Sequence, residues 1–240
     1  MAARPVAHRG LHGGPGVPEN SLAAFRAAAE RGYAMELDVR LLADGQVVVF
    51  HDPDLRRMAG AEIKVHGLTA SDLALYRLSG GHECPPLLQD VLANVTGRDV
   101  LYMELKHDAR GRSQTGRLEN RVCALLAGVP GRFGIISFHP HSIAWLRKTR
   151  PEFPRGHIVG ASDSLPWPRR LLYEHLVLPL LRPHFLFCRA DWLEYGFVRR
   201  ARARGTPVLA WTVRSPQEAE AIRLKADAVV FEGWLPEIQT

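Results

Sequence analysis

Cysteine is scarce in this chain of 240 residues: Cys84, Cys123 and Cys188 are an odd number, widely scattered, with no C-x-x-C pair. That excludes a disulfide framework and a zinc ribbon, and it fits a reducing compartment. Long apolar runs are also missing. The greasiest stretch, LVLPLL from Leu176 to Leu181, is interrupted by Pro179 and is far too short to span a bilayer. The start, MAARPVAHRG, has basic residues but no apolar core of the kind a signal peptide needs, so a cytoplasmic protein is expected. No G-x-G-x-x-G or P-loop segment follows any strand pattern. No repeat, linker or low-complexity tract divides the sequence. Basic clusters such as RRARARG (199–205) lack interleaved aromatics, so nucleic acid is not an expected partner.

What is present is an ordinary globular composition, 46% hydrophobic and 23% charged. Most of the arginines behind the net charge of +6 read as solvated surface, although that sign suits a small anionic substrate. Strand and helix patterns alternate throughout, which implies parallel strands with helical crossovers. Nine strand candidates appear: 5–8, 34–42, 46–52, 99–106, 133–138, 156–160, 184–190, 207–213 and 227–233. A single (β/α)8 barrel over residues 1–240 is the expected architecture, with one candidate left over as a hairpin strand or a misread loop. A doubly wound open sheet is the runner-up. The helix SLAAFRAAAERG is expected to start at Asn20 or Ser21 and to stop at Gly32. Another is expected over ASDLALYRL (70–78), and a clear start lies at Ser215-Pro216.

The segment MELDVRLLADGQVVVFHD (35–52) raises the functional question. Residues i and i+2 of a strand face the same way, so Glu36 and Asp38 converge inside an apolar strand. An unpaired buried carboxylate costs several kcal/mol, so something must neutralise them. Other ionisable groups also fall at strand ends: His8 and Arg9, then His51 and Asp52, then Glu104 and Lys106. The C-terminal ends of barrel strands form one mouth, so these residues are expected to meet there. Glu36, Asp38 and Glu104 are hard oxygen donors without cysteine, a set suited to one Mg²⁺ or Ca²⁺ ion rather than zinc. Arg9 offers a planar fork matching phosphate oxygens, and Lys106 a point charge. His8 and His51 titrate near neutrality, so one can accept a proton while the other donates one. Metal, cations and two histidines together describe phosphoryl transfer on a diester.

The segments AHRG (7–10), PENSLAAF (18–25), ELDVRLLADGQVVVFHD (36–52) and MELK (103–106) resemble the glycerophosphodiester phosphodiesterase family in order and spacing. PPLLQDVL (85–92), ISF (136–138) and AWTV (210–213) match its weaker blocks. The resemblance implies a (β/α)8 barrel that hydrolyses glycerophosphodiesters to glycerol 3-phosphate and an alcohol. It implies Glu36, Asp38 and Glu104 as metal ligands, His8 and His51 as the acid/base pair, and Arg9 and Lys106 on the phosphate. It also implies attack by the substrate's own 2-hydroxyl, so no protein nucleophile is required.

Glu19 and Asn20 are expected to support the first loop, and Trp211 to line the substrate pocket or to sit in the core. Asp52 either orients His51 or caps the turn before Pro53. His139 and His141 read as a loop and helix start rather than a second metal site. Two positions depart from the family pattern: Arg214 stands where Asn usually follows WTV, and AVVFEGW replaces a GIITD-like block. The alternative function is a lysophospholipase D or phospholipase C-like enzyme on membrane lipids, touching the bilayer through residues 165–185. That stretch reads more simply as an amphipathic barrel helix with its loop. A non-catalytic phosphate-binding protein is a third reading, which the presence of both His8 and His51 opposes.

Overall fold

The computed structural model describes residues 4–94, 99–107, 115–160 and 166–238. Nine strands are present among the described residues: β1 (Val6–Ala7), β2 (Ala34–Leu41), β3 (Val47–Val49), β4 (Val100–Leu105), β5 (Arg132–Ser137), β6 (Arg155–Val159), β7 (Phe185–Arg189), β8 (Val208–Val213) and β9 (Ala228–Phe231). Their order is β1-β9-β8-β7-β6-β5-β4-β2-β3, and β1 also pairs with β2. The fold is the (β/α)8 barrel. The surplus strand is β3, which pairs with β2 antiparallel, with Val39 opposite Val49 and Leu41 opposite Val47.

Among the described residues ten α-helical segments accompany the strands: α1 (Leu22–Glu30), α2 (Arg56–Ala59), α3 (Ala70–Leu73), α4 (Leu88–Ala93), α5 (Arg117–Leu126), α6 (Pro140–Thr149), α7 (Trp167–Leu172), α8 (Leu178–Leu181), α9 (Gly196–Ala203) and α10 (Pro216–Ile222). A π-helical turn over Tyr173–Val177 joins α7 to α8. None of the described helices is long and apolar enough to cross a membrane.

The chain divides into two compact units, residues 7–133 and residues 134–240 with 1–6. In the first, α1 begins where the sequence marks it. The Ser21 side chain accepts from the Ala24 amide as N-cap, satisfying one of the orphan donors of the first turn. Gly10 lies against this helix with φ of +79°, and a Cβ there would come within 2.8 Å of the Ala24 Cβ. Only glycine fits both the conformation and the space. Beyond β3, residues 50–78 wrap a satellite core of Leu42, Val48, Phe50, Leu55, Met58, Val65, Leu68, Leu73 and Leu78. The helix expected over 70–78 lasts a single turn. Leu73 and Leu78 are both buried, and five residues apart on a helix they would point about 140° away from each other. Burying both requires the chain to leave the helix, and Leu75 is left 78% exposed.

In the second unit, β5 to β9 are parallel neighbours. Of these, β6 to β9 share with their helices a core that includes Leu186, Cys188, Trp192, Phe197, Val208 and Ala210. Ser215 caps α10 by accepting from the Glu218 amide, with Pro216 in its first turn. His139 is the N-cap residue of α6 and packs edge-on against His141 at 5.2 Å, in the loop and helix-start setting expected for this pair.

Candidate active site

All eight residues singled out at strand ends lie in the first unit. Glu36, Asp38 and Glu104 are each buried, and one ligand oxygen from each falls within 4.8 Å of the others. Two neighbouring parallel strands create this cluster. Asp38 on β2 is directly opposite Glu104 on β4, and Glu36 lies two residues earlier on the same face.

Asp38 is the best compensated of the three. Its Oδ2 accepts from Asn20 Nδ2 at 2.9 Å and lies 3.4 Å from Arg9 Nε, while its Oδ1 lies 3.2 Å from Lys106 Nζ. Burial alone would raise its pKa, yet the charges of Lys106, His51 and Arg9 and the Asn20 hydrogen bond hold it below the usual carboxylate range. Glu36 goes the other way. Its Oε2 accepts from the Arg9 backbone amide at 3.0 Å, but burial and repulsion from Asp38 and Glu104 push its pKa well up. Glu104, though 2.7 Å from Lys106 Nζ, is raised to about 7, burial being the largest cause. The protein's own cations therefore settle one carboxylate and leave two short of positive charge. Three buried oxygen donors with that deficit fit a hard divalent cation.

The first loop is built to serve this cluster. Arg9 and Asn20 both adopt left-handed backbone conformations, with φ of 56° and 55°, and the Asn20 amide donates to the Arg9 carbonyl at 2.9 Å. Asn20 tolerates that region better than most residues. Its side chain also accepts from the Asp38 amide at 3.2 Å, so Asn20 grips Asp38 at both backbone and side chain. The helix cap is Ser21 alone. Glu19 receives Arg9 Nη1 at 2.9 Å and, from the other side, Arg57 at 2.6 and 2.8 Å. These hydrogen bonds and charges overcome the effect of burial and lower the Glu19 pKa.

His51 arrives differently from the other strand-end residues. Because β3 is antiparallel, the chain leaves the level of Asp38 along β2 and returns to it, with the Phe50 amide bonded to the Asp38 carbonyl at 2.9 Å. His51 is thus delivered by reversal and not by the end of a parallel strand. Its Nδ1 lies 2.7 Å from Asp52 Oδ1, and Asp52 Oδ2 accepts from Arg57 Nε at 2.6 Å. Arg40, two residues beyond Asp38 on the same face of β2, donates through Nε and Nη2 to the His51 carbonyl at 3.0 and 2.7 Å. Of the two alternatives for Asp52, its contact with Nδ1 is the one that orientation of His51 would need. The ring is partly buried, which lowers its pKa. His8, half-buried, follows directly on β1.

Two parts of this arrangement lay outside the sequence reading. Arg57, which bridges Glu19 to Asp52, sits on a one-turn helix with no motif around it. Arg40 looked like an ordinary charge on the hairpin. Trp211 lies in the other unit, on β8, packed edge-to-face on Phe138 at 5.5 Å between ring centres. In that unit the two departures from the family pattern meet each other, with Arg214 Nη2 3.3 Å from Glu232 Oε2.

Residues 8–232 match the model of the glycerophosphoryl diester phosphodiesterase family. A glycerophosphodiester phosphodiesterase of Caldanaerobacter subterraneus is 26% identical, covering 97% of this chain and 95% of that one. Among solved structures, the glycerophosphodiester phosphodiesterase of Thermotoga maritima superposes with a TM-score of 0.76 at 26% identity, over 96% and 95% of the two chains. A phosphodiesterase of Oleispira antarctica, solved with its product sn-glycerol 3-phosphate, gives a TM-score of 0.79 at 24% identity, over 95% and 92%.

Proposed function

The chain belongs to the glycerophosphoryl diester phosphodiesterase family, and from that premise we propose that it hydrolyses small glycerophosphodiesters to sn-glycerol 3-phosphate and an alcohol. The observation that carries the reading is the pairing of three converging buried carboxylates with a histidine whose Nδ1 is already committed to Asp52. The product bound to the Oleispira antarctica phosphodiesterase supports the same substrate class.

Glu36, Asp38 and Glu104 would hold one divalent cation, Mg²⁺ or Ca²⁺. Such an ion supplies Lewis-acid stabilisation of charge on a phosphoryl oxygen. The residues of this chain supply the rest. With its Nδ1–H donated to Asp52, His51 presents Nε2 as the proton-accepting nitrogen, the tautomer a general base requires. His8 is the complementary acid and protonates the departing alkoxide. Arg9 and Lys106 hold the phosphate, each retaining some exposed surface, 17% and 15% of the side chain. Glu19 and Asn20 fix the geometry of this loop, Glu19 by orienting Arg9 and Asn20 by clamping Asp38. The substrate's own 2-hydroxyl attacks phosphorus and expels the alcohol as a cyclic phosphate forms, and water then opens that ring to glycerol 3-phosphate, so no protein nucleophile is needed. None of Cys84, Cys123 and Cys188 forms a disulfide, which supports a cytoplasmic location.

The deciding assay follows glycerol 3-phosphate release from glycerophosphocholine and glycerophosphoethanolamine, with and without EDTA. The expected result is release that EDTA abolishes and that Mg²⁺ or Ca²⁺ restores. His8→Ala and His51→Ala should each lower kcat by roughly 10²–10⁴. Turnover that survives EDTA and both substitutions would end this assignment.

A further inference from the structure

The helical segment Trp167–Leu181 is apolar on two sides. One side packs on the second unit's core through Tyr173 and Leu178, and Leu181 is 4% exposed. The other side carries Trp167, Leu171, Leu172, Leu176 and Leu180, which are 71, 46, 50, 49 and 57% exposed. Five of the nine large hydrophobic side chains most exposed among the described residues therefore fall in this one segment. The spacing of 172, 176 and 180 forms a stripe of i,i+4 neighbours along the helix. Chain folding leaves that stripe uncovered, and an apolar face this concentrated marks an interaction surface. The segment is also anchored, since Arg147 Nη1 donates to the Leu180 carbonyl.

The charge of the segment is net positive. Residues 166–182 contain Arg169, Arg170 and Arg182 against the single acidic residue Glu174. On the core-facing side of α8, where Leu178 meets Phe197, lies a cavity of about 310 Å³ whose wall includes Arg182, Arg200 and Arg204. Exposed Trp and Leu on a helix flanked by arginines match the requirements of an anionic bilayer surface. The indole and leucines enter the headgroup boundary, and the guanidinium groups meet lipid phosphates. A second copy of the chain would bring the same arginines face to face, on a molecule that already carries a net charge of +6.

We propose that the Trp167–Leu181 face docks on an anionic phospholipid bilayer. This goes beyond the hydrolytic reading and does not depend on it, since docking is measured without turnover.

The test is co-sedimentation of the full chain with vesicles of phosphatidylglycerol and phosphatidylcholine in equal parts, and with phosphatidylcholine alone. Binding is expected to the mixed vesicles only and is expected to fall with added salt. The exposed-face variant Leu172→Ser/Leu176→Ser/Leu180→Ser should abolish it. Arg182→Asn/Arg204→Gln should weaken it about thirtyfold, near fivefold for each charge removed. Circular dichroism melts check that both variants fold, and hydrolysis of glycerophosphocholine should stay unchanged in them. No sedimentation of the parent chain, or sedimentation that the leucine variant retains, would overturn the proposal. So would a dimer by analytical ultracentrifugation that the leucine variant dissolves, because the occupant would then be a second copy.

Discussion

Strands β2 and β6 each bury ionisable side chains at alternate positions, and they solve the same problem in opposite ways. On β2, Glu36, Asp38 and Arg40 share one face, and charged groups from β4 and from the loop after β1 gather around them. Charge is kept in the interior, with two carboxylates still short of a counter-ion. On β6, His157 is fully buried beside the apolar core, its Nδ1 bonded to the Ser137 carbonyl at 3.0 Å and its ring stacked on Tyr173. Its Nε2 has no hydrogen-bond partner among the described residues. Burial drives its pKa down to about 4, so this ring resolves its burial by remaining neutral. A buried ionisable residue in a strand is therefore not in itself a site. What distinguishes β2 is that charges converge on it from separate parts of the chain, which concentrates an electrostatic demand that a ligand can meet.

The comparison can be broken in three places. The largest effect should be at His157. Its folded pKa lies below its unfolded value near 6.5, so its stabilising contribution is complete above pH 6.5 and is lost as pH falls toward 4. The unfolded chain takes up a proton in that window that the folded chain refuses, a loss of about 3 kcal/mol. Thermal melts between pH 7 and pH 4 should show His157→Asn losing less stability than the parent over this range. An equal loss in both would show that the ring is not neutral in the fold.

The next effect concerns the carboxylates. If they hold a cation, Mg²⁺ or Ca²⁺ at about a hundred times its dissociation constant should stabilise the fold by about 2.7 kcal/mol. For a chain of this size that corresponds to a rise in Tm of roughly 5–11 °C. Glu36→Gln should remove most of the rise. A rise that survives the substitution would place the ion elsewhere.

The smallest effect is expected at Asp52. Asp52→Asn leaves His51 in place but weakens the grip on its tautomer, and kcat should fall about 10- to 100-fold. An unchanged kcat would reduce Asp52 to a partner of Arg57.

Much of the site was legible before any fold was known. Glu36 and Asp38 stood out because two carboxylates interrupt an apolar strand, and Glu104 and Lys106 because they end another. His157 shows the limit of that signal. It interrupts GHIVG in the same manner, yet nothing local tells a neutral packed ring from a working one. Arg57 and Arg40 show the complementary limit, since their roles consist of partners 38 and 11 residues away in the chain. The nine strand candidates were all strands, but which one stood outside the barrel depended on the direction of β3.

By itself the sequence determined the alternation of strands and helices, the caps at Ser21 and Ser215, and the residue types on one face of β2, because each follows from spacing along a few neighbouring residues. Tertiary structure alone decided that Asp38 would be satisfied while Glu36 would not, that Asp52 and Arg57 would hold His51, and that the Trp167–Leu181 helix would keep a second apolar face uncovered. The physical reason is range. Periodicity and capping act within a turn or a strand, whereas charge compensation and burial depend on distances between segments that only folding brings together.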